Sequence, residues 1–377
     1  MRILHVTDCY FPRLGGLEVQ VHQLSQQQRA AGHQVAVLTA TGETAGAHGR
    51  SVTRDQGVPV FRMAARMPGR LPVHPWPWPH ARDLLARLEP DVIQLHIGGL
   101  TPSTQAVAAL AAAQERPAVL TVHSVWREHT AVRPYGLLDR LIGWSRWPIH
   151  YTAVSHLAAD RVRQAAGGQL EVGVLRNGVD VDEWRQAAVP RSGGPVHVVS
   201  AGRFAPRKRM MPLLTALESA ARALGPDVPL RVTVAGEGPE LAAAREFVAE
   251  RGLSDRLHLP GRLSRAELIA LYRDADVYVA PGVDDAFSVA VQEAQAAGLA
   301  IVSRSQSGAA ELLEDGVTGL LAPDDDALSR AVARLVTDAD LLERITAHNR
   351  QVPPQTAWPQ VLTATMAAYE HALTLVP

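Results

Sequence analysis

The run of apolar strand, loop, helix and strand occurs twice in this chain, and that restart limits the fold more than any other feature of the sequence. Arg2 to Thr7 reads as a buried strand and a loop follows through Pro12 to Gly16. Leu17, Val21 and Leu24 then recur at i, i+4 and i+7, as on one face of a helix. Gly32 stops that helix and Gln34 to Thr39 is the next strand. Further strands are expected at Val92 to Leu95, Ala118 to Val122, Tyr151 to Val154 and Val172 to Leu175. After the turn signal Asn177-Gly178, the stretch Arg191-Ser192-Gly193-Gly194-Pro195 reads as a linker. The pattern then begins again: strand at Val196 to Ala201, helix at Met211 to Leu224, strand at Leu230 to Ala235, and later strands near Leu257, Val277 to Ala280 and Ala300 to Ser303. Such an opening belongs to a doubly wound α/β domain. Two Rossmann-like domains are expected, 1–190 and 195–355, with a cleft between them as the place for a ligand.

A chain of 377 residues is long enough to give each half its own core. Lys and Arg number 37 against 38 Asp and Glu, so no long-range field recruits nucleic acid. The single cysteine, Cys9, excludes an internal disulfide framework and suits a reducing compartment. The N-terminus MRILHVT has no signal-peptide pattern and nowhere do eighteen apolar residues run together. A cytoplasmic protein with at most peripheral membrane contact is expected.

Asp285 and Glu293 stand eight positions apart in DDAFSVAVQEAQAAGLAIVS. Ser288 is placed as a helix N-cap, Val289 to Ala297 as a short helix, Gly298 as its left-handed terminator and Leu299 to Ser303 as a buried strand. One carboxylate then lies just outside the helix and the other about one turn inside. Carboxylates accept hydrogen bonds from paired sugar hydroxyls. Between them, the free first-turn amides of residues 287 to 290 and the positive helix end suit a diphosphate. The segment would hold hexose, phosphates and ribose together. A solvated Asp in a polar loop and a surface Glu would have the same spacing.

Gly15-Gly16 sits between the first strand and a helix N-terminus, where backbone amides can approach a phosphate; a tight turn needing positive φ would use the same residues. Arg203 and Lys208, in AGRFAPRKRMM after the first strand of the second half, would aim cations at a departing diphosphate or simply be surface. Gly236-Glu237-Gly238-Pro239 reads as a structural turn. His123 ends the strand in AVLTVHS and His96 the one in DVIQLH, where a parallel sheet delivers side chains to its C-terminal edge. The acidic pairs Asp180/Asp182, Asp274/Asp276 and Asp338/Asp340 lie at turns and helix ends, and no metal site is expected.

The order of these signals resembles that in retaining glycosyltransferases of family four, which have the GT-B fold of two Rossmann-like doubly wound domains. The resemblance runs through FPRLGGLEVQVHQLSQQQRAAGHQVAVLT, LTVHSVW, TAVSHLAADRV, VLRNGVDVDEW, AGRFAPRKR, VAGEGPE, LPGRLSRAELIALYRDADVYVAP, DDAFSVAVQEAQAAGLAIVS and SGAAELLEDGVTGLLAP. It implies an N-terminal acceptor-side domain, a C-terminal donor domain, and a last helix, 356–377, packing back onto the first. It further implies that Asp285 binds the sugar hydroxyls and Glu293 the ribose of a nucleotide diphosphate sugar. Amides of Phe287, Ser288, Val289 and Ala290, and that of Gly16, would hold the diphosphate. By the same resemblance Arg203 and Lys208 stabilise the leaving group, His123 contacts the transferred hexose, and Gly261, Arg262 and Leu263 lie against the base. A UDP- or GDP-linked donor, a hydroxyl acceptor, no metal and no further cofactor are implied.

The chain departs from the family pattern at four places. Asp285 replaces the usual Glu, shortening reach by about 1.5 Å; Ser288 and Arg209 stand where Gly is usual; Ala309-Ala310 replaces Gly and Pro. Residues 42 to 80 and 124 to 150 read as irregular and fall where the family varies with acceptor. Their tryptophans would pack the domain or stack on a sugar. Arg127, Arg133, Arg140 and Arg146 beside Leu137, Leu138, Ile142 and Trp144 would form a membrane-facing patch, interrupted by Glu128 and Asp139. A sugar-nucleotide epimerase or phosphorylase on the same fold, and a non-catalytic nucleotide-sugar-binding protein, are the alternative functions.

Overall fold

The computed structural model describes residues 1–13, 15–44, 46–67, 73–99, 101–185 and 194–377. Positions 191–193 of the expected linker lie outside the described residues. The chain forms two compact units, Met1–Gly178 with Trp358–Pro377, and Val179–Ala357.

In the first unit, β1 (Arg2–Thr7) leads through α1 (Gly16–Ala30) to β2 (Gln34–Thr39) and a hairpin of β3 (Gly49–Asp55) and β4 (Val58–Ala64). There follow α2 (Trp78–Leu88), β5 (Val92–Ile97), α3 (Pro102–Ala113), β6 (Ala118–Val122), α4 (Arg133–Ile142), β7 (His150–Ala153), α5 (His156–Ala165) and β8 (Gly173–Val174). The sheet order is β3-β4-β2-β1-β5-β6-β7-β8. All neighbours are parallel except the β3/β4 hairpin. Central strands are covered on both faces and therefore read as continuous apolar runs. The region 42 to 80, expected to be irregular, contains both hairpin strands. The outer one, β3, is half exposed and carries Arg, Ser, Thr and Asp, so its apolar signal is weak. The stretch 124 to 150, also expected to be irregular, carries α4.

The second unit opens with α6 (Val181–Arg185), then β9 (Val196–Ala201), α7 (Met210–Leu224), β10 (Leu230–Ala235), α8 (Leu241–Glu250), β11 (Leu257–Gly261) and α9 (Arg265–Arg273). It continues with β12 (Val277–Ala280), α10 (Val289–Ala296), β13 (Ala300–Arg304), β14 (Gly319–Ala322), α11 (Asp325–Thr337) and α12 (Ala339–Gln351). Its six-stranded parallel sheet runs β11-β10-β9-β12-β13-β14. Because strand side chains alternate, Val198, Val232, Val279 and Val302 pack on one face with Leu213, Leu217, Val332 and Leu335. Val199, Tyr278 and Ile301 pack on the other with Trp184, Tyr272, Val291 and Ala294.

The first unit ends at Gly178, short of the boundary near 190 read from the sequence. Val179 bridges Ala357, and Val181 and Trp184 are buried in the second unit's core, which draws α6 into that unit. The last helix, α13 (Trp358–Thr374), belongs to the first unit, with Tyr369 and Ala372 among Ile3, Val92 and Val119, and Trp358 and Val361 on Leu24. Gly178 is required by this packing, since a Cβ there would lie 2.5 Å from the Trp358 ring.

Candidate active site

In the second unit the loop after β9 carries Arg203 and Lys208. Its backbone is clamped by the turn after β10: the Phe204 amide donates to the Glu237 carbonyl at 2.8 Å. A Cβ on Gly236 would fall 1.8 Å from the Gly202 carbonyl oxygen and one on Gly238 2.3 Å from that of Phe204, both at φ near +150°. The Gly-Glu-Gly-Pro turn is thus the mould for the Arg203 loop. Arg203 itself is exposed. The Lys208 ammonium reaches across to Asp285 and donates to its Oδ1 at 2.7 Å. Arg209 has φ of 57°, the left-handed region that suits the glycine usual in the family. Its guanidinium pairs with Asp325 at the start of α11, which Arg304 also holds.

Asp285 is mostly buried, its side chain 15% exposed. The Gly308 amide donates to its carbonyl at 2.8 Å, and a Cβ on Gly308 would strike the Ala286 carbonyl at 2.0 Å. Gly282 leaves the room the Asp285 carboxylate occupies, since a Cβ there would be 2.4 Å from Oδ2. Ser288 caps α10 by accepting from the Val291 amide at 3.4 Å, and Gly298 follows the helix at φ of 84°. Ser288 therefore adds a side-chain cap bond that the family's glycine would not make. Phe287, Val289 and Ala290 flank that cap, at the helix end where the first amides lack intrahelical acceptors.

Glu293 lies in the second turn of α10 with a side chain 12% exposed. Burial pushes its carboxyl up to about 7, with Arg265 opposing the rise and Glu183 adding to it. Arg265 Nη1 is 3.4 Å from Glu293, its Nε donates to Glu183 Oε1 at 2.6 Å, and its guanidinium sits 5.0 Å above the Trp184 ring. Glu183 and Arg265 were not identified from the sequence. The capping box Ser264 to Glu267 reveals the start of α9, but nothing in the sequence ties 265 to 183 and 293. Gly261 takes φ of 84° and accepts from the Gly236 amide, Arg262 pairs with Glu237 at 3.1 Å, and Leu263 is half-buried.

In the first unit, neither glycine of Gly15-Gly16 needs positive φ. Gly15 is extended at φ of −171°, and a Cβ on it would meet the Glu18 carboxylate at 2.4 Å. A Cβ on Gly16 would meet nothing within 4 Å among the described residues, so their packing does not demand that glycine. His123 follows β6, its amide donating to the Ile97 carbonyl at 2.8 Å. Its Nε2 is 3.0 Å from His96 Nδ1, and burial lowers the ring to about 4, against a nearby Asn177 side chain. His96 lies inside β5 rather than at its end and is 1% exposed.

The acidic pairs serve as caps and anchors. Asp180 accepts from the Glu183 amide and Asp338 from that of Leu341, while Asp276 accepts from the His197 amide and Asp274 pairs with Arg231. Trp126 and Trp144 are core, with Trp126 stacked 4.0 Å from Tyr135, whereas Trp76 is exposed.

Two doubly wound units of these strand orders, with the basic loop after the first strand of one and the carboxylate loop and helix after its fourth, define the GT-B class. Residues 14–183 match Glycosyltransferase Family 4 and residues 180–352 match the glycosyl transferases group 1. The chain belongs to this glycosyltransferase family. It is 30% identical to a phosphatidyl-myo-inositol mannosyltransferase of Mycolicibacterium smegmatis over 98% of its length and 94% of the relative's. It is 28% identical to a glycogen synthase of Mycobacterium tuberculosis, covering 98% of this chain and 94% of that protein. In fold it matches Anabaena HepE in complex with UDP, at a TM-score of 0.74 and 19% identity over 98% of this chain and 99% of that one.

Proposed function

We propose that the protein is a retaining hexosyltransferase that takes a UDP- or GDP-linked sugar and passes the hexose to a hydroxyl in glycolipid, polysaccharide or natural-product synthesis. The observation that carries the reading is the Lys208–Asp285 pair at the amide end of α10, where a cation and a carboxylate lie beside a helix end of the kind that favours anions. Lys208 and Arg203 would take the diphosphate oxygens, Asp285 the sugar hydroxyls and Glu293 the ribose. Gly261, Arg262 and Leu263 would lie along the base, and the Gly16 amide would meet the diphosphate in the space its missing Cβ leaves. His123 would contact the sugar.

In the reaction the bond between the anomeric carbon and the diphosphate breaks, the acceptor oxygen bonds to that carbon from the same face, and the acceptor proton passes to a departing phosphate oxygen. Arg203 and Lys208 supply the cationic charge that a metal would otherwise bring to the leaving group. The names of relatives agree with this substrate class: one is a phosphatidyl-myo-inositol mannosyltransferase, and structures of HepE hold UDP and UDP-glucose. The test is a panel of UDP, GDP, ADP and dTDP sugars scored for nucleoside diphosphate release. Acceptor-dependent release is expected. Conversion of the donor with no acceptor present would point to an epimerase, and binding without turnover to a carrier.

We propose also that the protein works in the cytoplasm and docks peripherally on an anionic membrane through α4. Leu137, Leu141 and Ile142 are exposed there at 59%, 72% and 49%, beside exposed Arg140 and Arg146. Asp139 is turned into the fold, where it accepts from the Ser145 amide, and Glu128 is held by Arg133. Among the described residues no helix is long and apolar enough to cross a membrane. Flotation with vesicles containing anionic lipid is expected to carry the wild type and not Leu141→Asp; equal flotation of both would refute the surface.

A further inference from the structure

Five side chains in the first unit form one hydrogen-bonded line that ends at His123. The Gln28 amide nitrogen donates to the Tyr369 hydroxyl at 2.8 Å, and Gln28 Oε1 is 2.7 Å from His5 Nε2. His5 Nδ1 is 2.9 Å from His96 Nε2, and His96 Nδ1 is 3.0 Å from His123 Nε2. Tyr369, Gln28 and His5 are 0% exposed and His96 is 1% exposed. Successive rings lie with centroids 5.2 Å apart.

Burial depresses all three histidines below their ordinary range and keeps them neutral at physiological pH. A neutral imidazole has one N–H and one bare nitrogen. Since Gln28 Oε1 only accepts, His5 must carry its proton on Nε2 and leave Nδ1 bare. That bare nitrogen needs a donor, so His96 carries its proton on Nε2; the same reasoning places the His123 proton on Nε2. His123 is left with a lone pair on Nδ1. That atom is buried and makes no hydrogen bond in the observed geometry, with the Asn177 side chain as a polar neighbour of the ring, and the ring as a whole is partly exposed. A proton delivered to Nδ1 would find no outlet, because the line closes on an amide, which is a very weak base. The arrangement suits accepting a hydrogen bond rather than relaying a proton.

We propose that Gln28 is a positioning residue that acts through His5 and His96 to present the Nδ1 lone pair of His123 to a hydroxyl of the bound sugar. The inference rests on the reading of His123 as a sugar contact. Nitrogen-15 spectra of the histidine-labelled full chain read the tautomer without any turnover, with the His123 signals assigned by their loss in His123→Asn. Wild type is expected to show a bare Nδ1 and a protonated Nε2. In Gln28→Met the acceptor of His5 is gone and His123 is expected to show both tautomers; Gln28→Glu, which keeps an oxygen facing His5, is expected to retain one. Tyr369→Phe frees the Gln28 amide to turn over and should give a smaller mixed fraction. The kcat/KM of Gln28→Met should fall about fivefold, as loss of one neutral hydrogen bond does. A protonated Nδ1 in wild type would overturn the proposal whether or not the variants fold. An unchanged tautomer in a folded Gln28→Met would overturn the coupling. A shifted tautomer with unchanged kcat/KM would overturn the sugar contact alone.

Discussion

In the first unit the polar groups around His123 are neutral and stand in series, each fixing the protonation of the next. In the second unit the groups of the candidate site are acids and bases that stand in pairs or threes: Lys208 with Asp285, Arg265 with Glu183 and Glu293, and Arg209 and Arg304 with Asp325. The difference follows from what each environment allows. A histidine taken wholly out of water loses its charge, whereas a carboxylate at a loop edge keeps its charge if a cation is within reach. A neutral line can orient a hydrogen bond with little change in local field, and ionised pairs can exchange partners when a charged ligand arrives. The first arrangement suits hydroxyl recognition, the second suits a diphosphate.

The comparison breaks most sharply at Lys208. Lys208→Ala removes the cation proposed to meet the leaving group and also strands the Asp285 carboxylate, so kcat/KM is expected to fall by about tenfold to a hundredfold, the range for a lost charge-assisted contact. Glu293→Ala should cost at least about tenfold on the same assay. Steady-state kinetics near the wild-type rate for both would remove the second unit's pairs from the site.

Two glycines sharpen it next. Gly236→Ala puts a methyl into the Gly202 carbonyl at a left-handed φ, so the melting temperature should drop by several degrees, as for a loss of a few kcal/mol. Gly16→Ala meets nothing among the described residues and should leave the melting temperature unchanged while kcat/KM falls. A lower melting temperature for Gly16→Ala would make that glycine a packing residue instead.

The Glu293 carboxyl, raised to about 7, gives a pH dependence with two opposite signs. On the proposed reading the ionised carboxylate accepts hydrogen bonds from the ribose hydroxyls more strongly than the neutral acid, so donor affinity should weaken as pH falls through about 7 and level off above it. Stability should move the other way. Between the ordinary value of 4.5 and about 7 the folded carboxyl binds the proton that the unfolded chain has released, so folding stability declines as pH rises through that window. Arg265→Leu removes the opposing cation and should shift the affinity midpoint upward, which titration calorimetry at several pH values would detect. The smallest effect is expected at Ser288→Gly, a few tenths of a kcal/mol by thermal unfolding, since glycine replaces a cap at little cost.

Most strands of both sheets were legible because strands buried on both faces read as apolar runs, though the short edge strand β14 was missed, and α10 with its Ser288 cap and Gly298 stop was legible because caps are local. β3 was missed because an exposed edge strand carries no such run, and β4, though buried, because Pro59 and Arg62 interrupt its apolar residues. The unit boundary moved because Trp184, which decides it, packs on Tyr272 far along the chain. Asp285 and Lys208 were readable as candidates, but their ion pair spans 77 positions. Arg265 left no trace in the sequence, since its partners Glu183 and Glu293 meet it only once the second unit has folded. His5 and Gln28 were invisible for the same reason: a histidine in an apolar strand and a glutamine in a polar helix look like filler until the sheet aligns them.

A crystal structure with a nucleoside diphosphate sugar tests the central claim most directly. The account predicts the diphosphate within hydrogen-bond distance of Lys208 Nζ and the amides before α10, with Asp285 on the sugar and a Glu293 oxygen on the ribose. A nucleotide bound elsewhere, with Lys208 still on Asp285 and Glu293 untouched, would contradict it.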